Sequence, residues 1–218
     1  MAAKSDLLFR HDINSFNTSR GETGGSSRGY RTGITALTCG FFVLILFAKA
    51  AVRGERKGMT KERIPVTPAI LAMKRNGLTY TLRPYRYEEH GGTRVSAQAL
   101  GVDEHLVIKT LVMEDEQGAP FIILMHGDRQ VSTKALARTL GVKSVAPCDP
   151  RIAEKHTGYR VGGTSPFGTK KPLSVFIEEG IAALPRILIN AGSRGLLAEM
   201  SPAELIRALK PVMVKVAL

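Results

Sequence analysis

The residues best suited to chemistry gather in one stretch, Thr157-Gly158-Tyr159-Arg160-Val161-Gly162-Gly163-Thr164-Ser165-Pro166-Phe167-Gly168. The run Gly162-Gly163-Thr164-Ser165 lets successive backbone N–H groups turn into one concavity, a nest that holds an anion or polarises a carbonyl. An ordinary glycine-rich turn has the same composition. A second feature is Lys109, inside the apolar run Leu106-Val107-Ile108-Lys109-Thr110-Leu111-Val112. A lysine there either snorkels from a sheet edge or is aimed at an anionic ligand. Facing a pocket, it supplies a point charge for a phosphate or a developing oxyanion. The third is Ala191-Gly192-Ser193-Arg194-Gly195, a small-residue loop with one arginine after a strand ending at Asn190. Three glycine or cation features at strand ends point to one site.

Several other chemistries are excluded. There is no G-x-x-x-x-G-K-S/T loop for a P-loop nucleotidase and no G-x-S-x-G elbow for a serine hydrolase. Pro147-Cys148 lacks the second cysteine of a zinc deaminase. His90, His105, His126 and His156 have no H-E-x-x-H or paired-Cys spacing, so no metal is expected. The only cysteines, Cys39 and Cys148, cannot build a disulfide framework. Cys148 is either a nucleophile or, as lone cysteines more often are, a small buried hydrophobe.

The elements that must position these features read as follows. Thr67-Pro68 is an N-cap with proline at the first helical position, and Gly77 closes that helix after Ile70, Leu71 and Met73. Asp149-Pro150 opens another helix, and Gly101 and Gly141 each stop one. Ser201-Pro202-Ala203-Glu204 is a capping box opening a last helix that buries Leu205, Ala208 and Leu209. Leu106–Met113 and Pro120–Met125 form a hairpin across Glu114–Gly118, and Leu173–Ile177 and Arg186–Ile189 are further short strands. Hairpins interspersed with helices predict one compact α/β domain over residues 59–218 with a mixed sheet.

Residues 1–58 differ in character. Met1–Tyr30 is polar and reads as disordered. Thr32 to Ala48 is an uncharged run of seventeen residues flanked by Arg31 and Lys49, at the short limit of about 17 for a membrane span. Three readings stand: a membrane anchor, a signal peptide (the poorest fit), or an upstream start, with Met59-Thr60-Lys61-Glu62-Arg63 as the natural beginning. Membrane contact is expected only if residues 32–48 are an anchor. The whole chain carries +12, and residues 59–218 alone keep a net +7 from twenty-two Lys/Arg and fifteen Asp/Glu. That balance favours a phosphate-rich partner over acidic ones.

Taken in order, Thr67-Pro68-Ala69, Ile108-Lys109-Thr110-Leu111, Thr157-Gly158-Tyr159 through Gly162–Gly168, and Gly192-Ser193-Arg194-Gly195-Leu196 resemble the YbaK/EbsC family of aminoacyl-tRNA deacylases, kin of the editing domain of bacterial prolyl-tRNA synthetases. The resemblance spans residues 67–210. It implies an α/β domain with a mixed sheet or partly closed barrel surrounded by helices, no cofactor, and cytoplasmic work, which in turn favours Met59 as the start. It implies that Lys109 lies near the terminal adenosine of tRNA, and that Gly162, Gly163, Thr164, Ser165 and Pro166 form the loop whose backbone grips the aminoacyl ester. Tyr85, Tyr159, Gly192, Ser193, Arg194 and Gly195 are expected around the substrate.

By the same resemblance, the activity is release of a wrong amino acid from mischarged tRNA, with Cys on tRNA(Pro) favoured, Cys-tRNA(Cys) a further substrate, and prolyl-tRNA synthetase a further partner. For a cysteinyl ester the substrate's own thiol is expected to attack, making the reaction lyase-like rather than hydrolytic. Editing is needed because rejection of a small amino acid by size is worth only about 1–3 kcal/mol. Some relatives carry an acidic residue where this chain has Leu197. The alternative is therefore a non-catalytic tRNA- or synthetase-binding module on the same fold.

Overall fold

The computed structural model describes residues 64–218. The expectations for residues 1–58 lie outside the described residues. No helix among the described residues is long and apolar enough to cross a membrane.

Helix α1 (Pro68–Arg75) starts where its cap dictates: the Thr67 hydroxyl accepts the Ile70 N–H at 3.1 Å, and Lys74 and Arg75 sit at the negative end of the helix. Ile70 and Met73 are buried. Leu71, expected beside them, is 49% exposed, because one residue's rotation carries it off the inner face. The chain continues through β1 (Thr81–Pro84), α2 (Gly92–Leu100), β2 (Val107–Asp115), β3 (Pro120–His126), α3 (Thr133–Leu140), β4 (Val145–Pro147) and α4 (Pro150–Thr157). It ends in β5 (Val175–Glu178), β6 (Ile187–Ser193), β7 (Leu196–Met200), α5 (Pro202–Leu209) and β8 (Val212–Val214). Ser132, Asp149 and Ser201 cap α3, α4 and α5, and Gly101 and Gly141 end α2 and α3 in the left-handed conformation. The capping box on α5 is only half made. Ser201 accepts the Glu204 N–H, but the Glu204 carboxylate instead takes the Thr79 N–H at 3.0 Å and Arg207 at 2.8 Å.

The sheet is mixed and eight-stranded, in the order β1-β7-β6-β2-β3-β5-β8 with β4 also on β2. Pairs β2·β3, β6·β7, β1·β7 and β2·β4 are antiparallel; β2·β6, β3·β5 and β5·β8 are parallel. Of the two geometries expected, the pairing follows the open mixed sheet, with β1 and β8 as its ends. Strand β3 explains why Phe121–Met125 reads as one apolar run. Ile122 and Leu124 join the core under α1 and α5, while Phe121, Ile123 and Met125 join the core under α3. Both faces are covered, so alternation disappears.

One irregularity matters most for function. On the edge of β2 away from β3, pairing with β6 ends at Ile108 and pairing with β4 begins only at Met113. Over Lys109–Val112 that edge has no neighbouring strand. Alternation along a strand sends the backbone groups of Ile108, Thr110 and Val112 to this side, and the Val112 carbonyl indeed accepts the Cys148 N–H at 3.0 Å. The N–H and C=O of Thr110 face the gap.

Candidate active site at the gap in the sheet

The gap opens into a cavity of about 750 Å³. Its floor is β2, its walls are the segment after β1, the N-terminal half of α2, the start of α4 and the loop 158–168, and the ends of β6 and β7 close it. Lys109 lines it from the middle of β2 and donates through Nζ to the Arg129 carbonyl. Burial pushes the Lys109 pKa down, against the opposing pull of Glu104 and Asp128. The charge in the apolar strand is thus aimed into a pocket rather than snorkelling from an outer edge. Beside it the Thr110 hydroxyl is buried in the cavity wall, the one such side-chain atom without a hydrogen-bond partner among the described residues. An unpaired buried hydroxyl costs about 1–3 kcal/mol, a cost that a bound polar ligand would offset.

The glycine loop reaches the cavity with only part of its length. Gly162 (φ +85°) and Thr164 line it. The Gly163 N–H is taken by the Arg160 carbonyl at 2.9 Å, so the expected nest loses one of its donors to a turn. Gly163 itself sits behind, where a Cβ would lie 3.1 Å from the Arg194 nitrogen and 3.3 Å from the Ser193 carbonyl carbon. Ser165 is fully buried, with its hydroxyl accepting the Phe167 N–H at 3.3 Å, and Pro166 is buried beside it. Tyr159 is 4% exposed and its hydroxyl donates to the Phe167 carbonyl at 2.7 Å. These residues shape the loop from within and do not line the cavity.

The run 191–195 is not a free loop after a strand. Strand β6 continues through a bulge to Ser193, which pairs with Leu196 of β7, leaving Arg194-Gly195 as a hairpin turn. Arg194 lines the cavity, stacks 5.2 Å above the Tyr87 ring and donates Nε to the Val161 carbonyl at 2.9 Å. Gly192, Ser193 and Gly195 stand behind it, Gly192 (φ +88°) so tightly that a Cβ would come within 2.9 Å of Tyr159 Cε1. Tyr85 lines the cavity, with its N–H on the Gly195 carbonyl at 2.9 Å and its hydroxyl pKa raised by burial.

Lys109, Gly162, Thr164, Arg194 and Tyr85 therefore meet at one cavity, while Gly163, Ser165, Pro166, Tyr159, Gly192, Ser193 and Gly195 buttress it. Sequence reasoning missed Asn190, whose Nδ2 donates to the Gly162 carbonyl at 3.1 Å while its Oδ1 accepts the Gly192 N–H at 2.7 Å. One amide thus staples the glycine loop to the hairpin. A polar residue ending the apolar run Ile187–Ile189 was the available signal. Tyr87 and Thr110 were also missed. Leu197 faces Asn190 across β6·β7, 4% exposed, packed with Val107 and Leu188. This corner of the cavity is apolar. Cys148 lines the opposite wall, but burial and then Glu114 push its thiol up to about 11, so at neutral pH it is protonated and a poor nucleophile.

Next to this cavity lies a second, of about 400 Å³, which shares Thr133 with it and is lined by Lys134, Arg138 and Lys143. Comparison with known proteins gives this arrangement its family. Residues 91–208 match the aminoacyl-tRNA editing domain, a span that contains β2, the glycine loop and the β6–β7 turn. The chain belongs to this family. EbsC of Enterococcus faecalis, named as a proposed Cys-tRNA(Pro)/Cys-tRNA(Cys) deacylase, is 31% identical over 115 residues, covering 53% of this chain and 70% of EbsC. The proline–tRNA ligase of Limosilactobacillus fermentum is 23% identical over 104 residues, 46% of this chain but 18% of the ligase. A crystal structure described as a proposed trans-editing enzyme for prolyl-tRNA synthetase shares the fold at a TM-score of 0.63 and 20% identity, over 71% of this chain and 99% of that one. As a member of the editing family, the chain presents its cavity where β2 loses its strand neighbour.

Proposed function

We propose that this chain is a trans-editing aminoacyl-tRNA deacylase that removes Cys from mischarged tRNA(Pro). The observation that carries the reading is Lys109, a cation in an apolar strand, lining with Gly162 and Thr164 one cavity large enough for an aminoacyl ester and part of its terminal nucleoside. An aminoacyl ester is already activated, so the protein has chiefly to hold the carbonyl and stabilise the oxyanion. In this reading the Lys109 ammonium and backbone N–H groups of the glycine loop supply that stabilisation.

In this reading the attacking group comes from the substrate; burial and Glu114 push the Cys148 thiol up to about 11, which makes it a poor nucleophile at neutral pH. With a cysteinyl ester, the substrate's thiol sulfur bonds to the carbonyl carbon, the C–O bond to the ribose breaks, and the thiol proton ends on the ribose oxygen. The apolar corner at Leu197 suits a small side chain of low polarity. Lys134, Arg138 and Lys143 in the adjoining cavity supply cations for tRNA phosphates. The chain's similarity to EbsC supports Cys as the amino acid removed, with Cys-tRNA(Cys) as a further substrate.

The second reading, a tRNA- or synthetase-binding module without turnover, rests on Leu197 standing where some relatives carry an acid. A deacylation panel of tRNA(Pro) charged with Cys, Ala or Pro and of Cys-tRNA(Cys) separates the two. Turnover led by Cys-tRNA(Pro) is expected; tight tRNA binding with no turnover of any ester would establish the second reading.

A further inference from the structure

A cluster of side chains lies beside the turn whose Arg129 carbonyl holds Lys109. His105, in the short 3₁₀ turn Glu104–Leu106, places Nδ1 2.9 and 3.1 Å from the two carboxylate oxygens of Asp128. Its ring stacks on His126 with centroids 3.8 Å apart and planes 13° from parallel. His126 is 3% exposed, donates Nδ1–H to the His105 carbonyl at 3.0 Å, and has Gly180 packed on its far nitrogen, where a Cβ would lie 3.1 Å away. Burial pushes the His126 pKa down. Gly127 is pressed on the 3₁₀ turn, with 2.5 Å between a would-be Cβ and the Glu104 carbonyl oxygen. Thr93 ties both sides, donating to Glu104 Oε1 at 2.7 Å and close to the Gly127 carbonyl at 3.1 Å. The next turn of chain delivers the Arg129 carbonyl that accepts the Lys109 ammonium.

We propose that Asp128, clamped by His105, is a positioning residue for Lys109: it fixes the 127–130 turn whose Arg129 carbonyl aims the ammonium into the cavity. This rests on the reading of Lys109 as the group that stabilises the oxyanion. A side chain this exposed (38%) has no core to support, and among the described residues its side-chain partners are His105 and, at 3.8 Å, Arg129. Its charge also acts on Lys109 directly. The groups around Lys109 are Glu104 and Asp128, which favour its charged form, and the cavity-lining Glu89, His90 and Arg194 further out. Without the Asp128 charge, Glu104 alone opposes burial, and the ammonium loses its proton at lower pH.

The test uses the full chain with isotope-labelled lysines, following the Lys109 side-chain signal by NMR through a pH titration, with the signal assigned by its absence in Lys109→Ala. In Asp128→Asn, Lys109 is expected to titrate at lower pH than in the unsubstituted protein. On Cys-tRNA(Pro), kcat falls roughly ten- to a hundredfold with KM nearly unchanged, and the alkaline limb of kcat moves to lower pH. His105→Ala moves kcat in the same direction, and Asp128→Glu recovers part of it. An unshifted Lys109 titration in Asp128→Asn overturns the proposal, whatever happens to the melting temperature. A shifted titration in a protein that turns over no mischarged tRNA upholds the positioning and overturns the activity assigned to the site.

Discussion

Lys109 illustrates how one residue acquires a role from its surroundings. A lysine in a sheet normally lets its stem cover apolar surface and its head reach water. Here the missing neighbour along β2 gives the head a cavity instead, with the Arg129 carbonyl as its anchor. Replacing Lys109 with alanine should leave the fold intact and reduce kcat for Cys-tRNA(Pro) by roughly a hundredfold, the cost of about 3 kcal/mol for one oxyanion contact. Circular dichroism together with single-turnover deacylation checks both halves. Cys148 should behave in the opposite way. Cys148→Ala is expected to keep deacylation within about threefold, since in the proposed mechanism the substrate's own thiol attacks. Because its pKa is raised from 9.0 to about 11 in the folded protein, the thiol's contribution to stability is complete below pH 9 and is lost as pH rises towards 11. Chemical denaturation of the two proteins across that range should show their stability difference shrinking.

At the scale of elements, the site exists because a loop and a hairpin meet backbone to backbone. Gly163 packs on the Ser193–Arg194 peptide, Arg194 returns a hydrogen bond to Val161, and Asn190 joins Gly162 to Gly192. Gly163→Val forces the two apart, since its Cβ would meet main chain rather than a side chain that can swing away. Gly162 and Arg194 then retreat from the cavity together. Deacylation should fall at least tenfold, with a melting temperature lower by a few degrees, reflecting about 1–3 kcal/mol of overpacking. Wild-type kinetics in that variant would return the loop to an ordinary glycine-rich turn.

For the whole molecule, the net +7 of residues 59–218 is partly concentrated beside the site, on α3 and the approach to β4. The double variant Lys134→Glu, Arg138→Glu should raise KM for tRNA by about tenfold or more while kcat stays close to that of the unsubstituted protein. It should also flatten the dependence of affinity on salt, because fewer phosphate counterions are released. Equal salt slopes would place the tRNA elsewhere. The first helix of the described residues is capped by Thr67, whose hydroxyl also donates to the Ala191 carbonyl, so the first helix is tied to strand β6. A chain beginning at Met59 is therefore expected to fold and deacylate like the full chain. Loss of either in the shorter chain, measured by thermal melting and turnover, would show that residues 1–58 contribute.

What the sequence determined by itself was local. Thr67-Pro68, Asp149-Pro150 and Ser201-Pro202 start helices because their caps satisfy nearby N–H groups, and Gly101 and Gly141 stop them because only glycine enters the left-handed region cheaply. The β2–β3 hairpin was legible for the same reason, its turn closed by Asp115 Oδ1 on the N–H groups of Gln117 and Ala119. The short strands β1, β4 and β8 were not, since three or four residues carry too little pattern and owe their state to the partner that pairs with them. Strand β7 was hidden behind glycines that proved to be its hairpin turn and bulge. The site divides in the same way. Residue types nominated Lys109, the glycine loop and Arg194, but which of them face the cavity depended on contacts far apart in sequence. The Glu204 carboxylate leaves its own helix for Thr79, Asn190 reaches Gly162, and β6 and β4 part company along β2. Tertiary structure decided these because each is a competition for a hydrogen-bond partner, and the winner is set by which groups the packed sheet brings within about 3 Å.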